Sequence, residues 1–253
     1  ANALIENNTE RLGKNLWTDQ FEGEPIILYQ AYNEQDEARF VADILKDWMS
    51  KGELYSDAAV LYRSNAQSRA IEEALLRVSI PYRIYGGLRF YERMEIKNAI
   101  SYLKIIFNNS DNPAFERSIS NPTRGVGEKT LAKIRAAALK FNISYIKASA
   151  RLIDEGAISG RGGAGLRSYL EFVARCKEFI EENALSDLME EIIKTSGLHA
   201  YHAKEPGEKG KTRIENLEEL VTATKNFEQS IAENKTNKEV AEEYLDVISL
   251  DSG

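Results

Sequence analysis

The sequence predicts a chain of two unlike parts. Residues 1–85 read as an α/β portion built on a short parallel sheet, and residues 86–253 as an all-α portion with a helix–hairpin–helix-like element. Three observations predict this. Short runs rich in Ile, Val and Tyr alternate with amphipathic segments up to Tyr85. A glycine pair, Gly86-Gly87, follows. Beyond it the apolar spacing is helical throughout and no strand pattern returns.

The elements follow in order. Pro25–Tyr32 (PIILYQAY), Ala58–Tyr62 (AAVLY) and Tyr82–Tyr85 (YRIY) have the composition of buried strands. Between the first two, Ala38, Val41, Leu45 and Trp48 recur at spacings of 3 and 4, which predicts a helix over 34–50. A second helix is expected over 66–78, with Asn65 as its N-cap. The order β-α-β-α-β implies parallel strands joined by right-handed crossovers. Three parallel strands make a poor sheet alone, so further strands are expected elsewhere in a longer parent chain. The start at Ala1 rather than Met agrees with that expectation.

After Gly87, helices are expected over 94–107, 113–120, 128–141, 143–155, 166–182, 185–196, 213–231 and 237–250. In the first, Ile96, Ile100, Leu103 and Phe107 fall within about 60° of one another at 100° per residue. Thr212-Arg213-Ile214-Glu215 reads as a capping box opening the helix at 213, and Lys204–Lys211 as a polar loop. Gly86 and Gly87 are the expected hinge, because paired glycines reach backbone angles that other residues resist.

Composition limits the function. Hydrophobic residues are 43% and charged residues 29% of 253, which suits a folded globular protein. No apolar run reaches the roughly 18 residues of a membrane-spanning helix, and no membrane partner is expected. One cysteine, Cys176, excludes an intramolecular disulfide framework and fits a cytoplasmic setting. Cys176 lies among apolar helix positions and reads as core. His199 and His202 lack a third ligand, so no metal site is expected. The net charge of −7 hides a pattern. Lys+Arg against Asp+Glu is 9 to 14 over residues 1–85, 11 to 5 over 86–150, and 13 to 21 over 151–253. Only the central stretch is basic, which is either an ordinary solvated face or the seat of an anionic partner.

The clearest local signal is Asn121-Pro122-Thr123-Arg124-Gly125-Val126-Gly127 ahead of a helix. A Gly-Val-Gly turn lets a phosphate approach bare backbone, and the next helix start offers N–H groups and a positive dipole end. Thr123, Arg124 and Lys129 can add donors. Lys133 and Lys140 lie within about 40° of Lys129 around the helix, opposite Leu131, Ile134, Ala138 and Phe141. This is the pattern of sequence-independent binding to a nucleic-acid backbone, with a glycine turn between packed helices as the alternative. A second cluster, Leu61–Arg69, places Arg63 and Asn65 at the carboxyl end of a predicted strand, where open α/β sheets bind ligands. A third, Gly87–Lys97, puts Arg89 and Lys97 beside the hinge as candidate DNA-binding residues, with pairing of Arg89 to Glu92 or Glu95 as the purely structural alternative. Gly160–Gly165 fits G-x-G-x-x-G but lacks a strand before it, and reads as a loop between helices. Glu72-Glu73 and Glu218-Glu219 read as solvating faces. No G-x-x-x-x-G-K-[ST] phosphate loop is present.

The runs AVLYRSNAQSRAIEEAL, PYRIYGGLRFYERMEIKNAISYL, NPTRGVGEKTL and GKTRIENLEELV, with the opening ANALIENN, resemble the UvrD/Rep/PcrA group of superfamily 1 DNA helicases, its UvrD branch above all. The likeness is collinear over most of the chain. It implies that residues 1–85 are the first segment of the RecA-like subdomain 2A, and residues 86–253 the helical subdomain 2B. It implies single-stranded DNA at Arg63 and Asn65, and duplex backbone at Gly125, Val126 and Gly127, where the family has Gly-Ile-Gly. It implies an ATP-dependent 3′→5′ helicase of repair or replication as the parent, with repair proteins as further partners. ATP and Mg²⁺ would be bound outside this chain, which alone would have no catalytic residues and no cofactor. Two other readings stay open: a non-catalytic DNA-binding or protein-docking module, and a dinucleotide enzyme, which needs a strand ahead of Gly160.

Overall fold

A computed structural model describes residues 17, 23–85, 87–231 and 235–251. Among the described residues there is no β-strand. The predicted parallel sheet, and with it the RecA-like expectation for residues 1–85, is therefore corrected. The three apolar runs are extended but unpaired, with Ile26 99%, Leu28 94% and Leu61 94% exposed. β-propensity measures how well a side chain packs on a pleated surface, and it acts only once cross-strand neighbours exist. Here the runs have none. The opening ANALIENN and the hinge residue Gly86 lie outside the described residues.

The first part is held by two helices. In α1 (Glu34–Ser50), the side chain of Asn33 accepts the Asp36 N–H at 2.9 Å and starts the helix where its period predicts. A 3₁₀ turn at Asn65–Gln67 leads into α2 (Ser68–Arg77). Asn65 is not the cap. The Gln67 side chain accepts the N–H groups of Arg63 and Ser64 at 2.9 and 3.0 Å, so the chain turns at Ser64. Helices α1 and α2 bury a small core of Ala42, Leu75 and Ile80, with Leu45, Ile71 and Tyr82 packed against it.

The second part is all-helical around a separate, larger core. Its centre is α3 (Met94–Phe107). The sequence shows one apolar stripe there, yet Ile96, Ala99, Tyr102, Leu103 and Ile105 are all fully buried, on every side of the helix. Around it stand α4 (Asn112–Ser120), α5 (Glu128–Phe141), α6 (Tyr145–Asp154), α7 (Gly160–Glu182), α8 (Leu185–Thr195), α9 (Leu198–His202), α10 (Glu208–Ser230) and α11 (Asn237–Asp251). Asp111 caps α4 through the Ala114 N–H at 2.8 Å, and Ser144 caps α6. Cys176 is buried in α7, as expected.

Two helices start earlier than predicted. Helix α10 begins at Glu208, so half of the expected polar loop and the whole capping box are helical. Gly210 makes this possible, because a Cβ there would stand 2.6 Å from the Glu205 carbonyl and 2.7 Å from that of His202. Arg213 reaches Glu205 and Glu95 instead of taking part in a cap. Helix α7 begins at Gly160, so the G-x-G-x-x-G run is its first turn and not a loop.

The two parts meet through buried charge. Arg69 of α2 is 1% exposed; its Nε lies 2.5 Å from Glu219 of α10 and its Nη1 2.7 Å from Glu73. Arg93, also buried, donates to the Asn65 carbonyl (2.8 Å), Ser68 Oγ (2.7 Å) and Asn216 Oδ1 (2.9 Å). The Asn216 amide in turn donates to Glu95 at 2.6 Å. Burial works against the Arg69 charge, but Glu73 and Glu219 outweigh it and hold the guanidinium protonated. Of the glutamate pairs expected as solvating faces, only Glu218 is exposed. Glu73 and Glu219 grip Arg69, and Glu72 is buried, accepting the Tyr82 hydroxyl at 3.2 Å and the Phe90 N–H at 3.4 Å.

Replacing Arg69 by Ala leaves Glu219 and Glu73 facing one another without their cation. Breaking such a pair costs about 3 kcal/mol, equivalent to a fall in Tm of roughly 2–4 °C per kcal/mol. Thermal denaturation of the variant measures it, and an unchanged Tm would remove Arg69 from the joint. Glu72 carries a pH signature. Burial raises its carboxyl above the ordinary value of 4.5, so the folded chain binds the proton more tightly than the unfolded one. Its ionisation therefore lowers stability as pH rises through the raised value. Glu72→Gln keeps an acceptor for Tyr82 and Phe90. It should be more stable than the wild type at about pH 8, with the advantage fading towards about pH 5, as read from urea midpoints.

Candidate nucleic-acid interface

The seven-residue turn Asn121–Gly127 joins α4 to α5. Arg124 sits at its middle and points inward. Its Nη1 lies 3.1 Å from the Ser118 carbonyl and 2.9 Å from that of Pro122, and its Nη2 2.7 Å from that of Ser196. Ser118 is in the last turn of α4 and Ser196 closes α8, so the cation meets the negative ends of two helices. Its guanidinium also stands over the rings of Tyr102 and Tyr169 at 5.4 and 5.6 Å. The expected phosphate ligand is an internal anchor, with three of its five N–H donors taken by protein carbonyls. Val126 is buried beside it.

The glycine run of α7 explains how the turn is seated. A Cβ on Gly165 would lie 1.9 Å from the Arg124 carbonyl oxygen, and one on Gly162 3.3 Å from that of Gly125. Backbone therefore rests on backbone, and Gly125 itself has a φ of +76°. The same packing closes the glycine run to a dinucleotide pyrophosphate. A salt-bridge clamp completes the frame. Arg135 of α5 takes both carboxylate oxygens of Glu116 on α4 at 2.6 Å and Glu128 at 2.5 Å. The Arg135 hydrogen bonds hold the Glu116 carboxyl below the usual carboxylate range, and they also pair Glu128, the acid of the first turn of α5.

What faces outward is Thr123, Gly125, Gly127 and Lys129, all exposed. Gly127 is the N-cap of α5 and offers no side chain, so the first amides of the helix lack a side-chain acceptor. Lys133 is exposed too, but its ammonium donates to the Ala157 carbonyl at 2.9 Å. Arg161, a cation the sequence reading passed over, lies across Gly125. Its side-chain carbons and Nε stand 2.9–3.3 Å from where a Cβ on that glycine would be. The signal was present in Gly160–Gly165, but read as a loop it assigned Arg161 to nothing.

The other predicted residues lie apart from the turn in sequence and packing. Arg63 and Asn65 are exposed beside the buried joint, to which Asn65 lends its carbonyl. Asn65 and Tyr62 line an open cleft of about 1170 Å³ between the extended runs at 58–62 and 80–85 and helix α10. Arg89 is half-buried with its guanidinium 5.5 Å over the Tyr82 ring, and its N–H bonds to Glu92 at 3.2 Å. Lys97 is exposed on α3, and Gly87 is exposed ahead of it. His202 is buried with Nδ1 2.9 Å from Glu205, while His199 is exposed, so the two do not converge. Among the described residues no group of three or more His, Cys, Asp and Glu could hold a metal ion, and no helix is long and apolar enough to cross a membrane.

The whole chain, residues 1–253, matches the family model of the UvrD-like helicase C-terminal domain. The chain belongs to that family. This UvrD-like domain is 51% identical over 227 residues to DNA helicase II of Escherichia coli (strain K12), covering 90% of the chain and 32% of that relative. It is 38% identical over 229 residues to the ATP-dependent DNA helicase PcrA of Leuconostoc citreum, covering 90% of the chain and 31% of that relative. It thus spans about a third of the length of the curated relatives it matches.

Gly165→Ala tests the seating of the turn in the UvrD-like domain. A methyl group 1.9 Å from a carbonyl oxygen must push the Arg124–Gly125 backbone away. Overpacking of this kind costs about 1–3 kcal/mol, so Tm should fall by several degrees. Gly127→Ala, where nothing lies within 4 Å of the added Cβ, should leave Tm nearly unchanged.

Proposed function

We propose that this chain is the DNA-gripping part of an ATP-dependent 3′→5′ DNA helicase that unwinds duplex DNA in repair or replication. The observation that carries the proposal is the outward face of the Asn121–Gly127 turn. Exposed glycine backbone, the uncapped start of α5 and Lys129 stand together, while the acids beside them are bound to Arg135. That is the donor set a duplex phosphate backbone needs, without sequence readout. Family membership supports it, and so does the helix–hairpin–helix reading of α4, the turn and α5. Single-stranded DNA is assigned to the cleft edge at Arg63, Asn65 and Tyr62, where an amide and an aromatic ring offer hydrogen bonding and stacking to bases. Lys97 extends the same basic segment, and repair proteins are natural further partners in a cytoplasmic setting.

The two parts, 1–85 and 86–253, act as units that turn about Gly86-Gly87, and the joint at Arg69 and Arg93 holds one orientation. The described residues do not fit ATP, since the one glycine-rich run is packed against backbone. Nucleotide chemistry, with Mg²⁺, is therefore assigned to other parts of a longer protein, and this chain by itself to binding.

Duplex binding followed by fluorescence anisotropy tests the reading. Log affinity should fall linearly with log salt for any sequence. Lys129→Ala should flatten that slope by about 0.9, one phosphate contact, and Lys133→Ala by less, because its ammonium is already held by Ala157. A slope unchanged by Lys129→Ala would remove the turn from the interface.

A further inference from the structure

We propose that Arg161 is a phosphate-binding residue of this interface, supplied by α7 to a turn built between α4 and α5. The inference rests on the duplex-binding reading above and adds a residue to it. Four observations carry it. First, Arg161 is exposed, whereas Arg124 is spent on carbonyls and Lys133 on Ala157. Second, Arg161 makes no hydrogen bond or ion pair with another described residue, so its five donors are open to a ligand. Third, its stem is packed against the turn. Its stem crosses Gly125 at van der Waals distance, and the neighbouring Gly162 meets both the Gly125 carbonyl and Thr130 of α5 at 3.3–3.4 Å from an added Cβ. The first turns of α5 and α7 and the turn therefore converge within a few ångströms, with Lys129 next to Thr130 in sequence. Fourth, the acid nearest in sequence to Lys129, Glu128, is tied to Arg135 and does not compete.

The chemistry selects phosphate. A planar guanidinium matches two oxygens of one phosphate, and a held stem loses less entropy on binding than a free lysine. The glycines of α7 then have a double effect. They let the turn sit down on the helix, and they bring Arg161 over it. A side chain at Gly125 would take the space of the Arg161 stem.

The test uses the full chain and a fluorescein-labelled blunt DNA duplex at several salt concentrations. Arg161→Gln keeps most of the stem over Gly125 and removes the charge. It should weaken binding and flatten the log–log salt slope by about 0.9. Arg161→Lys should recover the slope but only part of the affinity, because a point charge replaces the fork. Lys51→Gln at the C-cap of α1, which removes an equal charge remote from the turn in sequence, should leave the slope unchanged. Thermal melts of the three variants should match the wild type. A wild-type slope in Arg161→Gln, with Lys129→Ala still flattening it, would overturn the assignment of Arg161 and leave the interface standing. Absence of duplex binding by the wild type would overturn both.

Discussion

A guanidinium withdrawn from water must find its counter-charges inside the protein, and in this chain it finds them on both sides of a domain joint. Arg69 and Arg93 are each more than nine-tenths buried, and their partners come from α2, the Asn65 turn and α10. The core around Ala42, Leu75 and Ile80 is separate from the core around α3. Orientation is therefore set by charge pairing and directed hydrogen bonds. These are geometrically exacting, and costly when half-made. A joint of that kind holds one arrangement firmly.

The Asn121–Gly127 turn shows the same economy with cations. Arg124 faces inward and draws together the ends of α4 and α8, while Lys129 and Arg161 face outward. The cations around the turn thus divide into one that builds it and two that stay exposed. The division depends on backbone-to-backbone contact with α7, possible only because Gly162 and Gly165 lack a side chain. Anchor, seat and exposed charges are consequences of a single packing event.

Much of the helical part was legible in the sequence. Helices α3, α4, α5, α6, α8 and α11 lie within about two residues of their expected bounds, because capping residues and a 3.6-residue period are local properties. The turn ahead of α5 and the exposure of Lys129 were readable for the same reason. The failures share a different cause. The apolar runs of the first part have strand composition, but a ladder needs a neighbour, and none of the described residues supplies one. Helices α7 and α10 start early because Gly163, Gly165 and Gly210 press against Ile158, Arg124 and Glu205, contacts that no local pattern announces. Read along the chain, those glycines look like breakers; in the fold they are close-packing sites.

By itself the sequence determined which segments are helical, where the basic stretch lies and which family the chain belongs to. Composition, period and collinear likeness are all one-dimensional properties. Only the tertiary structure decided which charges are spent and which are free. Arg124 and Lys129 stand five residues apart in one basic run, yet one is held by three carbonyls and the other meets water. Glu73 and Glu219, 146 positions apart, become partners of the same arginine. A charge's role depends on what lies within about 4 Å of it, and that is settled by long-range packing rather than by its neighbours in the chain.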